Sequence, residues 1–333
     1  MRTSLICLLT AVTGLTVAAQ QPAELVAAQS PFKFYSAFWP NLHNVLFAAA
    51  WDARPPAEDK AGGPLPEPLG GAMTEDDLAR WGAALKYYEA EIADLHLLFE
   101  MGPIRKAMIA AGPDLPTAGL EPKHREVLMA AALLYRRQWW PEHDRINRAW
   151  IQDTMARVAK LSPEVPSKIA ALCGTPWITQ ELRVDVVLAG AREGAYTSND
   201  PAPGHITISS GHKRIYDWTA AEVLFHEAAH LMMGPTLQAF SAELKAQGKF
   251  STEGKIGSRT VDIWHPALFY MVGEVVRQAL ASRNVKYQPY MYATGMMDRV
   301  WPKFRKPLET HWGAFVRGEI SRDEAIKRVV AEL

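Results

Sequence analysis

His226-Glu227-Ala228-Ala229-His230 is the stretch on which the reading of this chain turns. Two histidines four residues apart lie one above the other on a single helix face. Both imidazoles then reach one zinc ion, and the glutamate between them is placed to take a proton from a water on that ion. The flanking residues predict the helix. Thr219-Ala220-Ala221-Glu222 has capping-box form, with a hydroxyl at the N-cap and a carboxylate three residues on. Val223, Leu224, Phe225, Leu231 and Met232 keep the run apolar, and Gly234-Pro235 supplies a stop signal. The expected helix runs from about Ala220 to Met233. Apolar flanks also suit a metal site, because a dry cavity leaves the ion's field undiluted.

The longer run Val223-Leu224-Phe225-His226-Glu227-Ala228-Ala229-His230-Leu231-Met232 resembles the zincin metallopeptidases, and the resemblance covers residues 204–278. It implies a zinc-dependent peptidase with one zinc per chain, a small sheet and an active-site helix. It excludes the metzincin branch, which continues with a glycine and a third histidine. Met233 and Thr236 stand at those two places.

A third ligand must therefore come from further along, as His, Glu or Asp. The candidates are Glu243, Glu253, Asp262, His265 and Glu274. Glu243 sits among Ser241, Lys245 and Gln247 on a polar stretch, and Glu253 lies in a segment that reads as a loop. Glu274 is the only acid in the apolar stretch Pro266–Ser282, which reads as a helix with proline in its first turn. A carboxylate flanked by Val272, Val275 and Val276 needs a partner, and zinc would be one. With Glu274 as ligand the chain resembles the gluzincin branch, whose third ligand is a glutamate on a later helix. The other readings are His265 as ligand, and Glu274 paired with Arg277 one turn on. Tyr270 shares the Glu274 face, so Tyr270 or His265 is a candidate donor to a developing oxyanion. Glu227 is the candidate general base.

Upstream, Arg183–Ala189 and His205–Ser210 have strand character, with a turn-rich stretch, Thr197–Gly204, between them. In zincins an edge strand just before the motif helix holds the peptide by main-chain pairing. Ile206, Thr207 and Ile208 occupy that sequence position and are candidate substrate contacts. His143 lies in Trp139-Trp140-Pro141-Glu142-His143-Asp144, and Asn41 and His43 lie in a similar aromatic setting. Either group lines the cleft from the opposite lobe, or ties helices together.

The remaining features bound the class. The chain has 333 residues, formal net charge +0 and 48% hydrophobic residues, which gives no reason to expect nucleic acid or an anionic membrane as partner. Arg2, the apolar run Leu5–Val17 and Val17-Ala18-Ala19 read as a secretory signal peptide over residues 1–19, so a secreted or periplasmic protein without stable membrane insertion is expected. Cys173 is then the single cysteine of the mature chain, expected as a small buried hydrophobe. The expected fold is α+β and mostly helical. Residues 20–160 form a helical N-terminal lobe containing a Pro/Gly-rich loop at 54–73, and residues 161–333 form the zinc-binding core with closing helices. A peptide or protein is the expected substrate. Two alternatives remain: a helical binding or scaffold protein with a structural zinc site or none, and a hydrolase of non-peptide amides or esters.

Overall fold

Period-two alternation organises the centre of the molecule. On one strand Leu182, Val184 and Val186 are fully buried, while Arg183 and Asp185 point to the other face. Its neighbour buries Ile206 and Ile208 on the first face and presents His205, Thr207 and Ser209 on the second. A computed structural model describes residues 25–52, 73–98, 100–111, 115, 119–190, 194–255 and 257–333. The expected signal peptide and all of the Pro/Gly-rich stretch except Met73 lie outside the described residues.

Five strands form one mixed sheet in the order β1-β2-β3-β5-β4. They are β1 (Leu25–Gln29), β2 (Phe32–Tyr35), β3 (Leu182–Val187), β4 (Ala195–Ser198) and β5 (His205–Ser209). β2 and β3 run parallel, as do β3 and β5, and β4 is antiparallel to β5. Among the described residues, six α-helices lie between β2 and β3: α1 (Phe38–Asp52), α2 (Glu75–Tyr87), α3 (Gly102–Ala110), α4 (Pro122–Gln138), α5 (Trp140–Leu161) and α6 (Glu164–Cys173). After β5 come α7 (Asp217–His230), α8 (Gly234–Ala246) and α9 (Trp264–Ala281). Five shorter helices close the chain: α10 (Tyr290–Ala293), α11 (Met296–Arg299), α12 (Pro302–Pro307), α13 (Gly313–Val316) and α14 (Arg322–Ala331). The fold is thus α+β and mostly helical.

Two apolar clusters result. One joins the first face of the sheet to α7, α9, the second half of α5 and the C-terminal helices. The other joins α1, α2, α3 and α4 around Leu46, Tyr88 and Tyr135. Cys173 is completely buried in the first cluster, and burial pushes its thiol up to about 12, as suits a small apolar side chain. Among the described residues no helix is long and apolar enough to cross a membrane.

The second face of the sheet carries a buried charge cluster. Arg183 donates to both oxygens of Asp185 at 2.8 and 2.9 Å, and His205 Nε2 lies 2.7 Å from the same carboxylate. Burial raises the Asp185 pKa, but Arg183 and His205 outweigh it and hold the carboxyl down at about 2. A depressed acid stabilises the fold above its unfolded pKa, and that contribution is lost as pH falls through the folded value. Asp185→Asn is therefore expected to cost roughly 2 kcal/mol at neutral pH. In denaturant titrations its deficit against the parent should shrink between about pH 4 and pH 2.

Candidate metal centre

Helix α7 starts earlier than the capping-box reading placed it. Tyr216 is the N-cap in extended conformation, and its N–H donates to Thr219 Oγ1 at 3.1 Å. Thr219 thus closes the first turn from inside the helix. Every residue from Ala220 to Ala229 is buried, because α7 is packed by the sheet, α5 and α9. His226 and His230 come to one face, as their spacing requires, with their Nε2 atoms 3.1 Å apart.

The third histidine is His265. It lies in the first turn of α9, which packs against α7. One ligand atom from each of His226, His230 and His265 lies within 4.8 Å of the others. Ring centroids are 5.5 Å apart for His226 and His265, and 5.1 Å for His230 and His265. Burial, helped by the neighbouring imidazoles, lowers the pKa of His230 to about 3 and pushes His226 well down. Burial brings His265 to about 4 against the opposing pull of Asp262. All three rings are therefore neutral at pH 7, the form that gives a metal its lone pair. His226 Nδ1 is buried without a hydrogen-bond partner, so this ring is not explained as part of a closed polar network. The three imidazole nitrogens could hold a metal ion. His226 is buried while His230 and His265 are partly exposed, so one side of the group faces outward. Three histidines with an open side would leave a coordination position free for water.

Aromatic rings wall the group. Phe269 stacks on His226 with centroids 3.6 Å apart, Trp264 stacks on His265 at 5.0 Å, and Trp301 meets His265 edge-on at 5.6 Å. Such walls exclude water and strengthen electrostatic interactions inside the site.

Glu227, between the two motif histidines, is buried and held by β4. Thr197 Oγ1 lies 2.7 Å from Glu227 Oε2 and 2.8 Å from its backbone carbonyl. Thr197 was not singled out from sequence, because Thr197–Gly204 reads as a turn. Its only sequence signal is the short β-prone Ala195-Tyr196-Thr197 ahead of that turn.

Tyr290 is the second residue that sequence reasoning missed. It is buried on α10, its ring lying over Phe269 at 6.3 Å and 17°. Burial raises its pKa to about 12, with Arg214 opposing and the carboxylates of Glu222 and Glu227 adding to the rise. The phenol therefore keeps its proton at neutral pH.

Three sequence expectations differ from the structure, and His143 takes the second of its two expected roles. Glu274 does not join the histidines. It stands nine residues beyond His265, which on a helix is the opposite side and about 13 Å along the axis. Its carboxylate takes Arg277 Nε and Nη2 at 2.7 and 2.6 Å and Gln278 Nε2 at 2.8 Å. Burial raises its pKa, but these donors outweigh that and hold it below the ordinary carboxylate range. Tyr270 points toward the C-terminal helices, where a Cβ on Gly313 would lie 2.5 Å from its hydroxyl. It lines a separate recess with Glu274, Arg277 and Tyr287. Ile206, Thr207 and Ile208 have no free strand edge, because β5 is inserted between β3 and β4. The edge near α7 belongs to β4. His143 is fully buried, with Nδ1 2.9 Å from Tyr135 Oη, so it ties α5 to α4 rather than lining a cleft. His43 bonds Tyr88 at 2.8 Å, and Asn41 donates to Val186 O at 3.2 Å, so both are structural ties as well.

No family model, curated protein or solved structure matches the chain.

Proposed function

We propose that this chain is a zinc-dependent hydrolase of peptide bonds, exported from the cytoplasm, with His226, His230 and His265 as the metal ligands. The observation that carries the reading is the convergence of three neutral imidazoles beside the buried carboxylate of Glu227. When bound, zinc lowers the pKa of a coordinated water and polarises a carbonyl oxygen.

The protein's own groups supply the rest. Glu227 accepts the proton of the attacking water and passes it to the leaving amine. Thr197 holds that carboxylate in place from the sheet edge. The protonated phenol of Tyr290 donates to the oxygen on which negative charge develops. β4 offers an edge on which an extended peptide adds as a further strand, giving affinity through main-chain hydrogen bonds without reading side chains. Phe269, Trp264 and Trp301 keep bulk water out.

The test is a peptide-library digest by the purified chain, read by mass spectrometry, beside small amide and ester substrates. Internal peptide cleavage is expected, abolished by dialysis against a chelator and restored by about one equivalent of zinc. Chelator-resistant cleavage would sink the metal reading, and turnover of only the small amides or esters would move the substrate class.

A further inference from the structure

Glu222 lies on α7 one turn before His226 and is 1% exposed. No cation pairs with it among the described residues. Its partners come from one short segment. Tyr287 Oη donates to Oε2 at 2.5 Å, and the Tyr290 N–H lies 3.1 Å from both carboxylate oxygens. Burial raises its pKa to about 7 against the pull of these two donors. An isolated buried carboxylate is costly, and an apolar side chain would fill the same place at less cost.

The surroundings are shaped to admit it. A Cβ on Gly273 would lie 2.7 Å from Pro289 Cβ and 3.0 Å from Glu222 Oε1. Glycine at 273 thus lets α9 approach both the carboxylate and the chain entering α10. From that anchor the Tyr290 ring lies over Phe269, which stacks on His226. Thr294 ties the far end of the turn, its N–H and hydroxyl both donating to Tyr290 O at 2.9 and 2.8 Å.

We infer that Glu222 is a positioning residue, which fixes Tyr290 through its backbone N–H and so holds the ring against Phe269, beside His226. The inference rests on the hydrolase reading above. It explains why the motif helix carries a second buried carboxylate that takes no proton from the reaction. Glu222 and Glu227 sit five residues apart on one helix and do separate work: one holds the acceptor's partner in place, the other moves the proton.

A double-mutant cycle tests it, with zinc content and amide hydrogen exchange measured on each variant. Tyr290→Phe is expected to lower kcat on the order of 10²-fold with little change in KM. Glu222→Ala should lower kcat comparably, keep its zinc, and speed exchange at the Tyr290 amide. Because both changes act through one phenol, Glu222→Ala in the Tyr290→Phe background should cost less than about 3-fold more. Glu222→Gln, whose amide oxygen still accepts from Tyr290 N–H, should restore most of the activity. If Glu222→Ala does not fold, Glu222→Leu carries the same cycle. Multiplying losses in the double variant, or unchanged exchange at Tyr290, would overturn the inference while leaving the hydrolase reading intact. A parent that binds no zinc and cleaves nothing would remove both.

Discussion

Glu227→Gln is expected to keep the fold and the zinc while lowering kcat by at least about 10²-fold. The amide is nearly isosteric, and its oxygen still accepts the Thr197 hydroxyl that lies 2.7 Å from Oε2. What it lacks is a basic oxygen to take a proton, so the loss should fall on turnover and leave KM nearly unchanged. Circular dichroism and zinc content separate this outcome from misfolding. Turnover within a few-fold of the parent would take Glu227 out of the mechanism. Thr197→Val should lie between the two, since it leaves the carboxylate present but unheld.

The fold was legible where a pattern was long and local. The helix expected over 266–282 matches α9 within two residues at each end, and the one expected over about 220–233 overlaps α7, displaced by three residues. β3 and β5 followed from their alternation. The elements without a local sequence signal depend on distant partners. β2 is four residues long and is a strand because β3, some 150 residues later, pairs with it. The turn-rich look of Thr197–Gly204 concealed β4, which is held by pairing with β5. Gly234-Pro235 signals a helix stop in the sequence, and in the structure Pro235 also opens α8.

The candidate site divides in the same way. Periodicity within one helix placed His226, Glu227 and His230 together. Choosing between His265 and Glu274 needed the rotation of α9 against α7, which no spacing within either helix specifies. A lone buried acid needs a partner, and for Glu274 the donors Arg277 and Gln278 meet that need locally. It applies equally to Glu222, where the partners come from a segment 65 residues away.

His265→Ala is expected to weaken zinc binding by more than about 10²-fold, whereas Glu274→Ala should leave it unchanged. Loss of an outer-shell partner alone costs about 10–100-fold, and His265 would be a direct ligand. Its nitrogen is one of three within 4.8 Å of each other, while the Glu274 carboxylate is occupied by Arg277 and Gln278. Removing His265 leaves two imidazoles from one helix turn, too few to hold the ion against water. Glu274→Ala removes a partly buried carboxylate together with its local partners Arg277 and Gln278, none of which belongs to the histidine group. The direct measurement is zinc per chain after dialysis against a metal buffer, on the parent and these two variants side by side. The account predicts about one zinc in the parent and in Glu274→Ala, and almost none in His265→Ala. Zinc retained in His265→Ala and lost in Glu274→Ala would contradict it.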